Sequence, residues 1–241
     1  MKMKTQKANR EVLRNKIIKI SRRLFLEQGY ENTTVRQVLK KSRLSTGSLY
    51  HFFKNKEEIL LFSLKDALLE ISSLTDSIAV KYNEPMLRYA LGIAIGTSEI
   101  FKYKPLFNFY NAVYKNESAE NFMISLKVAR MKNLLNDLNL HFTDNEIHSR
   151  ILAIHGATRA LMLAKINKQL SANLNDIYSL IIKIALSEFN IPKKKINKII
   201  KLTTKIIHTK TFSRDLAEKL KPWSFHPMND YFIHIFFHQS A

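Results

Sequence analysis

The sequence predicts an all-α protein, and three features support that fold class. Only five Gly and five Pro occur among the 241 residues, so few positions interrupt regular structure. Apolar residues recur at steps of three and four over long stretches, which is the period of a helix with one buried side. No segment alternates apolar and polar residues as a half-buried strand does. At this length the chain forms one or two domains, each with a real core.

Composition excludes several kinds of chemistry. The chain has no Cys, so it has no disulfide framework, no thiolate catalyst and no Cys-ligated zinc. It also has no phosphate-binding Gly loop, no Gly-x-Ser-x-Gly elbow, no His-Glu-x-x-His pattern and no convincing pair of carboxylates. We therefore expect no enzymatic activity and no catalytic residue, and neither a cofactor nor a metal site.

The N-terminus is basic but is not followed by the apolar run that a signal peptide needs. No uncharged apolar window approaches the roughly 20 residues that span a bilayer. We expect a cytoplasmic protein that does not associate with membranes.

Charge is concentrated near the N-terminus. The net charge is +19; residues 1–60 hold 15 Lys and Arg against 5 Asp and Glu, which gives +10, and the other 181 residues hold the remaining +9. Such a concentration indicates a polyanion as partner. A generally Lys-rich composition would explain the second +9 but explains the first +10 less well.

The first two helices follow from local patterns. One face of the first helix consists of Leu13, Ile17, Ile20, Leu24 and Phe25. Gly29 ends that helix, since glycine readily takes the left-handed conformation after a last turn. Thr34 and Gln37 have the spacing of a capping box and predict the start of the second helix. Its apolar residues face inward, which turns Arg36 outward.

A third, short helix is predicted after Ser45, which is a good N-cap. At 100° per residue, Phe53 falls beside Leu49 on the side that packs against the first two helices. Gly47, Ser48, Tyr50 and His51 fall on the opposite, open side. There, Gly47 would let the backbone approach another molecule closely.

The open side of the third helix suits the DNA major groove. Small polar side chains would meet base edges, while Lys54, Lys56 and the Tyr50 hydroxyl would hold the backbone. The N–H groups near Ser45 and Thr46 would favour a phosphate. A solvated polar face of an ordinary helical hairpin has the same composition, so composition alone leaves both interpretations open.

The order of the residues adds a family resemblance. Ile17 to Leu60 resembles the N-terminal helix-turn-helix domain of TetR-family transcriptional regulators. The match includes LFLEQGYENTTV (Leu24 to Val35) and STGSLYHFFKNKEEIL (Ser45 to Leu60). Two residues depart from the family pattern: Leu39 replaces a small Ala, and Arg43 replaces a turn Gly. An Arg in a left-handed turn costs about 1 kcal/mol or more relative to Gly, so we expect a turn of slightly different shape.

The resemblance implies a set of DNA contacts. Arg36 is a candidate for a guanine O6/N7 contact, and Lys56 is expected on a phosphate. The complete expected set is Arg36, Ser45, Thr46, Gly47, Ser48, Tyr50, His51, Lys54 and Lys56.

Beyond Leu60 the apolar period continues, which predicts one long helix that enters a second domain without a flexible linker. Breaks near residues 83–85, 105, 116, 143 and 171 predict five or six further helices. We therefore expect a helix-turn-helix domain over residues 1–58 and a larger helical ligand-binding and dimerisation domain over 59–209. The stretch 210–241 is expected to be a C-terminal tail of uncertain order.

Two helical segments are apolar on more than one side. One face is formed by Ile147, Ile151, Ile154, Thr158, Leu161 and Met162, and another by Leu174, Ile177, Ile181 and Ile184. Further apolar residues elsewhere on these helices are Leu152, Leu163, Leu180, Ile182 and Leu186. Such helices need cover on more than one side, from their own core or from a second subunit. The family resemblance implies a four-helix bundle here, so we expect a homodimer through the helices at about 143–190.

An aromatic-rich segment follows Glu99 and suggests an apolar cavity for a small molecule, although core packing explains many aromatics equally well. The candidate pocket residues are Phe101, Tyr103, Phe107, Tyr110, Tyr114, Phe122, Arg130, His155 and Arg159.

These features together predict a TetR-like transcriptional regulator. We expect a repressor that binds a palindromic operator in double-stranded DNA as a dimer and is released by a small-molecule effector. The alternative is a sequence-independent, nucleoid-type DNA-binding protein that uses the same basic region.

Overall fold

The computed structural model describes the backbone of residues 2–102 and 104–220, and the side chains of residues 9–98 and 106–219. These residues form eleven α-helices and no strand, which confirms the predicted fold class. The helices are α1 (Lys2–Gln28), α2 (Val35–Ser42), α3 (Thr46–Phe52), α4 (Lys56–Lys81), α5 (Leu87–Lys102), α6 (Lys104–Lys115), α7 (Glu117–Asp137), α8 (Asp144–Ile166), α9 (Leu174–Glu188), α10 (Lys193–Ile207) and α11 (Lys210–Leu220).

Local sequence explains most helix boundaries. Thr34 and Gln37 form the predicted capping box at α2, and Thr143 forms one with Glu146 at α8. Gly29 has φ +87°, so it takes the left-handed conformation expected where α1 ends. Arg43 also takes that conformation, at φ 55° and ψ 37°. The turn before α3 is therefore left-handed even though an arginine occupies it.

The helix-turn-helix unit shares its core with α4. Fully buried residues from α1, α3 and α4 belong to one cluster that extends into the second domain; among them are Phe25, Leu49, Phe53, Leu60 and Leu64. Arg22 of α1 is buried and pairs with Asp66 of α4 at 2.9 Å. The long helix predicted after Leu60 is thus continuous and tied to the unit that it leaves.

The second domain packs around α5, which contacts α4, α6, α9 and α10. A second core cluster joins α5, α7, α8, α9 and α10 and includes Met131, Ile151, Tyr178 and Phe189. In addition, α6 contacts both α7 and α1. That contact connects the second domain to the first helix of the chain.

The stretch expected to be a tail begins with a helix. Phe212 and Leu216 of α11 are buried in the first core cluster, where α11 packs on α4. This is why seven helices follow α4 in the described chain, whereas the breaks predict five or six. The remainder of the expected tail, 221–241, lies outside the described residues. Across the described chain, every helix is too short or too polar to cross a bilayer.

Candidate nucleic-acid interface

Helix α3 has one buried and one open side, as its sequence predicts. Leu49 and Phe53 are 0% and 1% exposed, whereas 51% of Tyr50 is exposed. Thr46, Gly47 and His51 are also exposed. Since Tyr50 and His51 follow Leu49 directly, a period of 3.6 residues forces them away from the core that holds Leu49.

The start of α3 is capped by its own serines. Ser45 Oγ accepts a hydrogen bond from Ser48 N–H at 3.2 Å, and the two hydroxyls lie 2.8 Å apart. Ser48 is half-buried. The two serines therefore cap the helix start, next to the exposed residues Thr46 and Gly47.

Gly47 is not required by packing. A Cβ built on it would have no heavy atom within 4 Å, and its φ is not in the left-handed region. An alanine would stabilise an exposed helical position by about 0.5–1 kcal/mol relative to glycine. Packing within the described chain therefore does not explain a glycine at this position.

The remaining predicted contact residues have different surroundings. Arg36 on α2 is exposed, and so is Lys54 before α4. Lys56 is held by the protein instead: its Nζ donates to the Tyr30 carbonyl at 2.9 Å and lies 4.1 Å from the centroid of the Tyr30 ring. Its ammonium thus links the start of α4 to the turn after α1. A DNA phosphate would have to share this ammonium with the Tyr30 carbonyl.

Asn55 and Glu58 form a variant of a capping box at the start of α4. Asn55 Oδ1 accepts from Glu58 N–H at 2.8 Å. The Glu58 carboxylate, however, accepts from the Lys54 N–H at 2.6 Å and not from that of Asn55. This hydrogen bond fixes the backbone at Lys54, between α3 and α4.

Two arginines on α1, which sequence patterns do not single out, border the same surface. The Arg10 guanidinium lies 5.9 Å from the centre of the Phe52 ring, and Arg14 lies 3.9 Å from the centre of Phe62. Phe52 in turn meets His51 edge to face, with ring centres 5.3 Å apart.

Four of the expected effector residues meet in the second domain. The Tyr110 and Tyr114 hydroxyls lie 2.9 Å apart, and the Tyr114 ring stacks on His155 with centroids 5.3 Å apart. Arg159 lies over Tyr114. His155 is buried, and its Nε2–H donates to a carboxylate that was not predicted, that of Glu120, at 2.9 Å.

Lys127 completes this group, which we call the Glu120 cluster: Tyr110, Tyr114, Glu120, Lys127, His155 and Arg159. Lys127 Nζ lies 3.1 Å from His155 Nδ1, while Arg159 lies 3.2 Å from Glu120. Burial lowers the pKa of Lys127 to about 8. Burial also lowers the pKa of His155, and Lys127 lowers it further, so the imidazole is neutral near pH 7.

Arg130, another expected pocket residue, does not join the cluster. Arg130 bonds instead to Thr75 and Asp76 of α4, at 2.7 and 3.0 Å. Phe107 and Phe122 are half-buried, and Phe122 packs on the first core cluster. Tyr103 and the side chain of Phe101 lie outside the described residues. Of the nine expected pocket residues, four therefore lie together in the Glu120 cluster, and Arg130 lies against α4 instead.

The two apolar faces of α8 and α9 belong mostly to the chain's own core. Ile147, Ile151, Ile177 and Ile181 are at most 2% exposed. The open apolar residues are those on the other sides: Leu152, Leu163 and Leu180 are 45%, 42% and 44% exposed. These three leucines form what we call the outer leucine face.

Comparison with known proteins gives a family match for the first domain. Residues 17–61 match the model of bacterial regulatory proteins of the tetR family. This confirms the resemblance that the motifs of this segment predict.

Two curated relatives are transcriptional regulators. The chain is 41% identical over 58 residues to the HTH-type transcriptional regulator HbdR of Aromatoleum sp. (strain CIB), which covers 24% of this chain and 25% of HbdR. It is 29% identical over 121 residues to QacR of Staphylococcus aureus (strain Mu50 / ATCC 700699), covering 48% of this chain and 63% of QacR. The chain thus spans less than two thirds of either relative.

Among solved structures, RolR in complex with resorcinol superposes with a TM-score of 0.57 at 17% identity, covering 81% of this chain and 95% of RolR. That likeness supports the fold over the part of the chain that it covers.

Proposed function

We propose that this chain, whose residues 17–61 form a helix-turn-helix domain of the TetR family, is a DNA-binding transcriptional repressor. It would act as a cytoplasmic homodimer on a palindromic operator and be released by a small-molecule effector. The observation that carries the proposal is the division of α3: Leu49 and the C-capping Phe53 are buried, and the threonine, glycine, tyrosine and histidine of the helix are open.

In this proposal α3 lies in the major groove. Thr46, Tyr50 and His51 meet base edges or neighbouring phosphates, and Gly47 allows the helix backbone to come close. Arg36 extends from α2 toward a guanine, and Lys54 binds a phosphate beside it. Ser45 and Ser48 keep the helix start ordered through their mutual hydrogen bonds.

Two copies of α3 must reach successive grooves, so their centres must lie about 34–36 Å apart, or at an operator-specific variant of that distance. The outer leucine face is suited to hold the two subunits together, because three large apolar side chains on α8 and α9 are exposed close to half. A bundle of α8 and α9 from both subunits would cover them.

The Glu120 cluster is the proposed effector-sensing element. It joins α6, α7 and α8, and α6 also contacts α1 of the reading domain. An effector that binds more tightly to one arrangement of α6 would favour that arrangement and thereby shift the position of α1. DNA affinity falls if the favoured arrangement has the wrong spacing of the two reading helices.

The charge in the Glu120 cluster gives a stability prediction. Lys127 and Arg159 are cations near a single carboxylate, and His155 is neutral, so Lys127 is poorly compensated. Replacing Lys127 with Met is expected to raise the free energy of unfolding at pH 7 by about 2 kcal/mol, with the same fold. Thermal and urea unfolding followed by circular dichroism measure the free energy of unfolding. The control is Lys115→Met, at an exposed position of α6.

The pH dependence of the Lys127 effect has a definite sign. Below pH 8 lysine is protonated in both the folded and unfolded states, so the folded protein bears the full cost. Between pH 8 and about 10.5 the folded lysine loses its proton while the unfolded lysine keeps it, so the wild type gains stability relative to the variant. The advantage of Lys127→Met should therefore shrink as pH rises from 8 toward 10. An advantage that stays constant over this range would contradict an uncompensated ammonium.

The proposed function is tested by a substitution that the fold tolerates. Gly47→Ala should leave the protein folded and slightly more stable, yet weaken binding to its preferred DNA at least tenfold, because the new methyl group faces the groove. The measurement is fluorescence anisotropy with a duplex covering the DNA upstream of the protein's own gene and with random duplex. Gly92→Ala on α5 is the matched control, since its Cβ also meets no atom within 4 Å.

Equal affinity of the wild type for both duplexes would favour the sequence-independent binder, which the +10 charge of residues 1–60 would also serve. Unchanged binding by Gly47→Ala would contradict close approach of α3 to DNA.

A further inference from the structure

The Glu120 cluster holds more positive than negative charge. Lys127 and Arg159 are cations, Glu120 is the carboxylate of the cluster, and His155 is neutral near pH 7. One positive charge of the cluster is therefore left without a partner. Because a partly buried charge is costly unless it is paired, this excess indicates a site that lacks an anion.

The imidazole of His155 lies between the Lys127 ammonium and the Glu120 carboxylate. Its Nε2–H donates to Glu120 at 2.9 Å, so Nδ1 is the acceptor and takes a hydrogen bond from Lys127 Nζ at 3.1 Å. Glu120 also accepts from Arg159, at 3.2 Å. The carboxylate is thus engaged at the other nitrogen of the ring, and Lys127 is bound to a neutral nitrogen instead of an anion.

Several hydrogen-bond donors of the cluster have no acceptor in the described chain. An ammonium has three N–H groups, and the acceptor that Lys127 has among the described residues is His155 Nδ1. The Tyr110 and Tyr114 hydroxyls lie 2.9 Å apart; one donates to the other, and the hydrogen of the accepting hydroxyl is left over. Two N–H groups and one O–H are therefore available to an added acceptor.

Aromatic rings and partial exposure limit the kind of molecule that can use these donors. Tyr114 stacks on His155 and meets Tyr110 edge to face, with the tyrosine ring centroids 4.6 Å apart. Tyr110, Tyr114 and Lys127 are half-buried, so solvent reaches part of each side chain. Ring surfaces favour an apolar molecule, while the spare donors and the excess positive charge favour an anionic acceptor.

We propose that the Glu120 cluster binds a small apolar carboxylate, with Lys127 as its charge partner. The carboxylate accepts from the ammonium and from the spare tyrosine hydroxyl, and its apolar body lies against the tyrosine rings. This inference assigns a chemical class to the effector and therefore rests on the proposed function. It also gives a role to an ammonium whose removal is expected to stabilise the protein.

Isothermal titration calorimetry at pH 7 without DNA tests the charge partner. The probes are benzoate and hexanoate, and their neutral counterparts of the same size are benzamide and hexanamide. Wild type should bind at least one carboxylate and prefer it to its amide by about tenfold or more. Lys127→Met should lose that preference and bind the carboxylate about thirtyfold more weakly, because the charge pair is absent. Lys115→Met, at an exposed position of α6, should bind like wild type.

The pH dependence of carboxylate binding has a definite sign. Binding requires protonated Lys127, whose pKa is lowered by burial to about 8. Affinity should therefore fall about tenfold between pH 7 and pH 9, as the ammonium loses its proton. Burial raises the pKa of Tyr110 and Tyr114 and lowers that of His155, so these three groups stay neutral over this range.

A variant that keeps the charge isolates the titration of Lys127. Lys127→Arg stays protonated throughout this range, so its affinity for the carboxylate should be the same at pH 7 and pH 9. The substitution leaves the other charged groups around Lys127 in place: Glu120 and Arg159 in the cluster, and the Asp76–Arg130 pair that joins α7 to α4.

The inference would be overturned if wild type bound neither carboxylate, or if Lys127→Met bound it as tightly as wild type does. An equal fall in affinity with pH in Lys127→Arg would assign the titration to another group and have the same consequence. Equal binding of inorganic phosphate would indicate a site for any small anion and would also overturn it. A wild type that binds the carboxylate but shows no preference for the upstream duplex would instead contradict the proposed function.

Discussion

Replacing Tyr50 and His51 together with alanine is expected to lower affinity for the preferred duplex by a factor of a few hundred. Each side chain lies on the open side of α3, and a good base or backbone contact contributes about 1–3 kcal/mol of binding free energy. Binding to random duplex should fall far less, because that binding depends mainly on lysines and arginines. Competition binding with both duplexes measures the two affinities separately.

The Tyr50 and His51 substitutions should leave folding almost unchanged. Tyr50 is 51% exposed, and the described contact of the His51 ring is an edge against Phe52. A control that removes the same types of side chain from the second domain is Tyr82→Ala with His208→Ala, both exposed positions. If the Tyr50 and His51 variant melts like wild type and still prefers the upstream duplex to the same degree, then α3 is not the reading helix.

The second large effect is expected at the outer leucine face. Introducing Glu at both Leu152 and Leu180 should convert the proposed dimer to monomer and raise its dissociation constant about a thousandfold or more. A carboxylate forced into an apolar interface without a partner costs about 3–5 kcal/mol, and the two-fold relation doubles the number of such groups. Sedimentation velocity measures the assembly, and DNA affinity should fall with it.

The monomeric variant should remain folded, because both leucines are close to half exposed within one subunit. Leu69→Glu with Val80→Glu makes the same kind of change on α4, at positions that are 57% and 82% exposed. That control should sediment like wild type. A Leu152 and Leu180 variant that still sediments as a dimer would place the subunit interface elsewhere.

Sequence patterns predict those features of the fold that depend on neighbours along the chain. The caps at Thr34, Ser45 and Thr143 join residues three apart, so their side-chain chemistry is readable directly. The division of α3 follows from one buried leucine and the helical period. The family resemblance then predicts which open side has a partner.

Contacts between distant residues account for what the sequence did not predict. Lys56 reaches a carbonyl 26 positions away, and His155 binds a carboxylate 35 positions away. Arg130, an expected pocket residue, finds its partner 54 positions away in α4. Periodicity says that such a residue points inward or outward but does not say which element it meets.

The same limit applied to α8 and α9. Their pattern showed apolar residues on more than one side, which predicts cover from two directions. The pattern did not say which side the chain covers itself. In the structure Ile151 and Ile181 are inside, and Leu152 and Leu180 are left outside.

Helix α4 is unbroken, so a rotation at one of its ends moves the other end. Its 26 residues span about 39 Å at 1.5 Å per residue. Ile59 and Leu60 near its start are buried in the first core cluster, and Asp76 near its end pairs with Arg130. A rod of that length that pivots by about 5° at one end moves its other end by about 3.4 Å, the axial rise of one base pair. In the proposed function, a small rotation at the end of α4 that Arg130 of α7 contacts would therefore be enough to put α3 out of phase with its half of the operator.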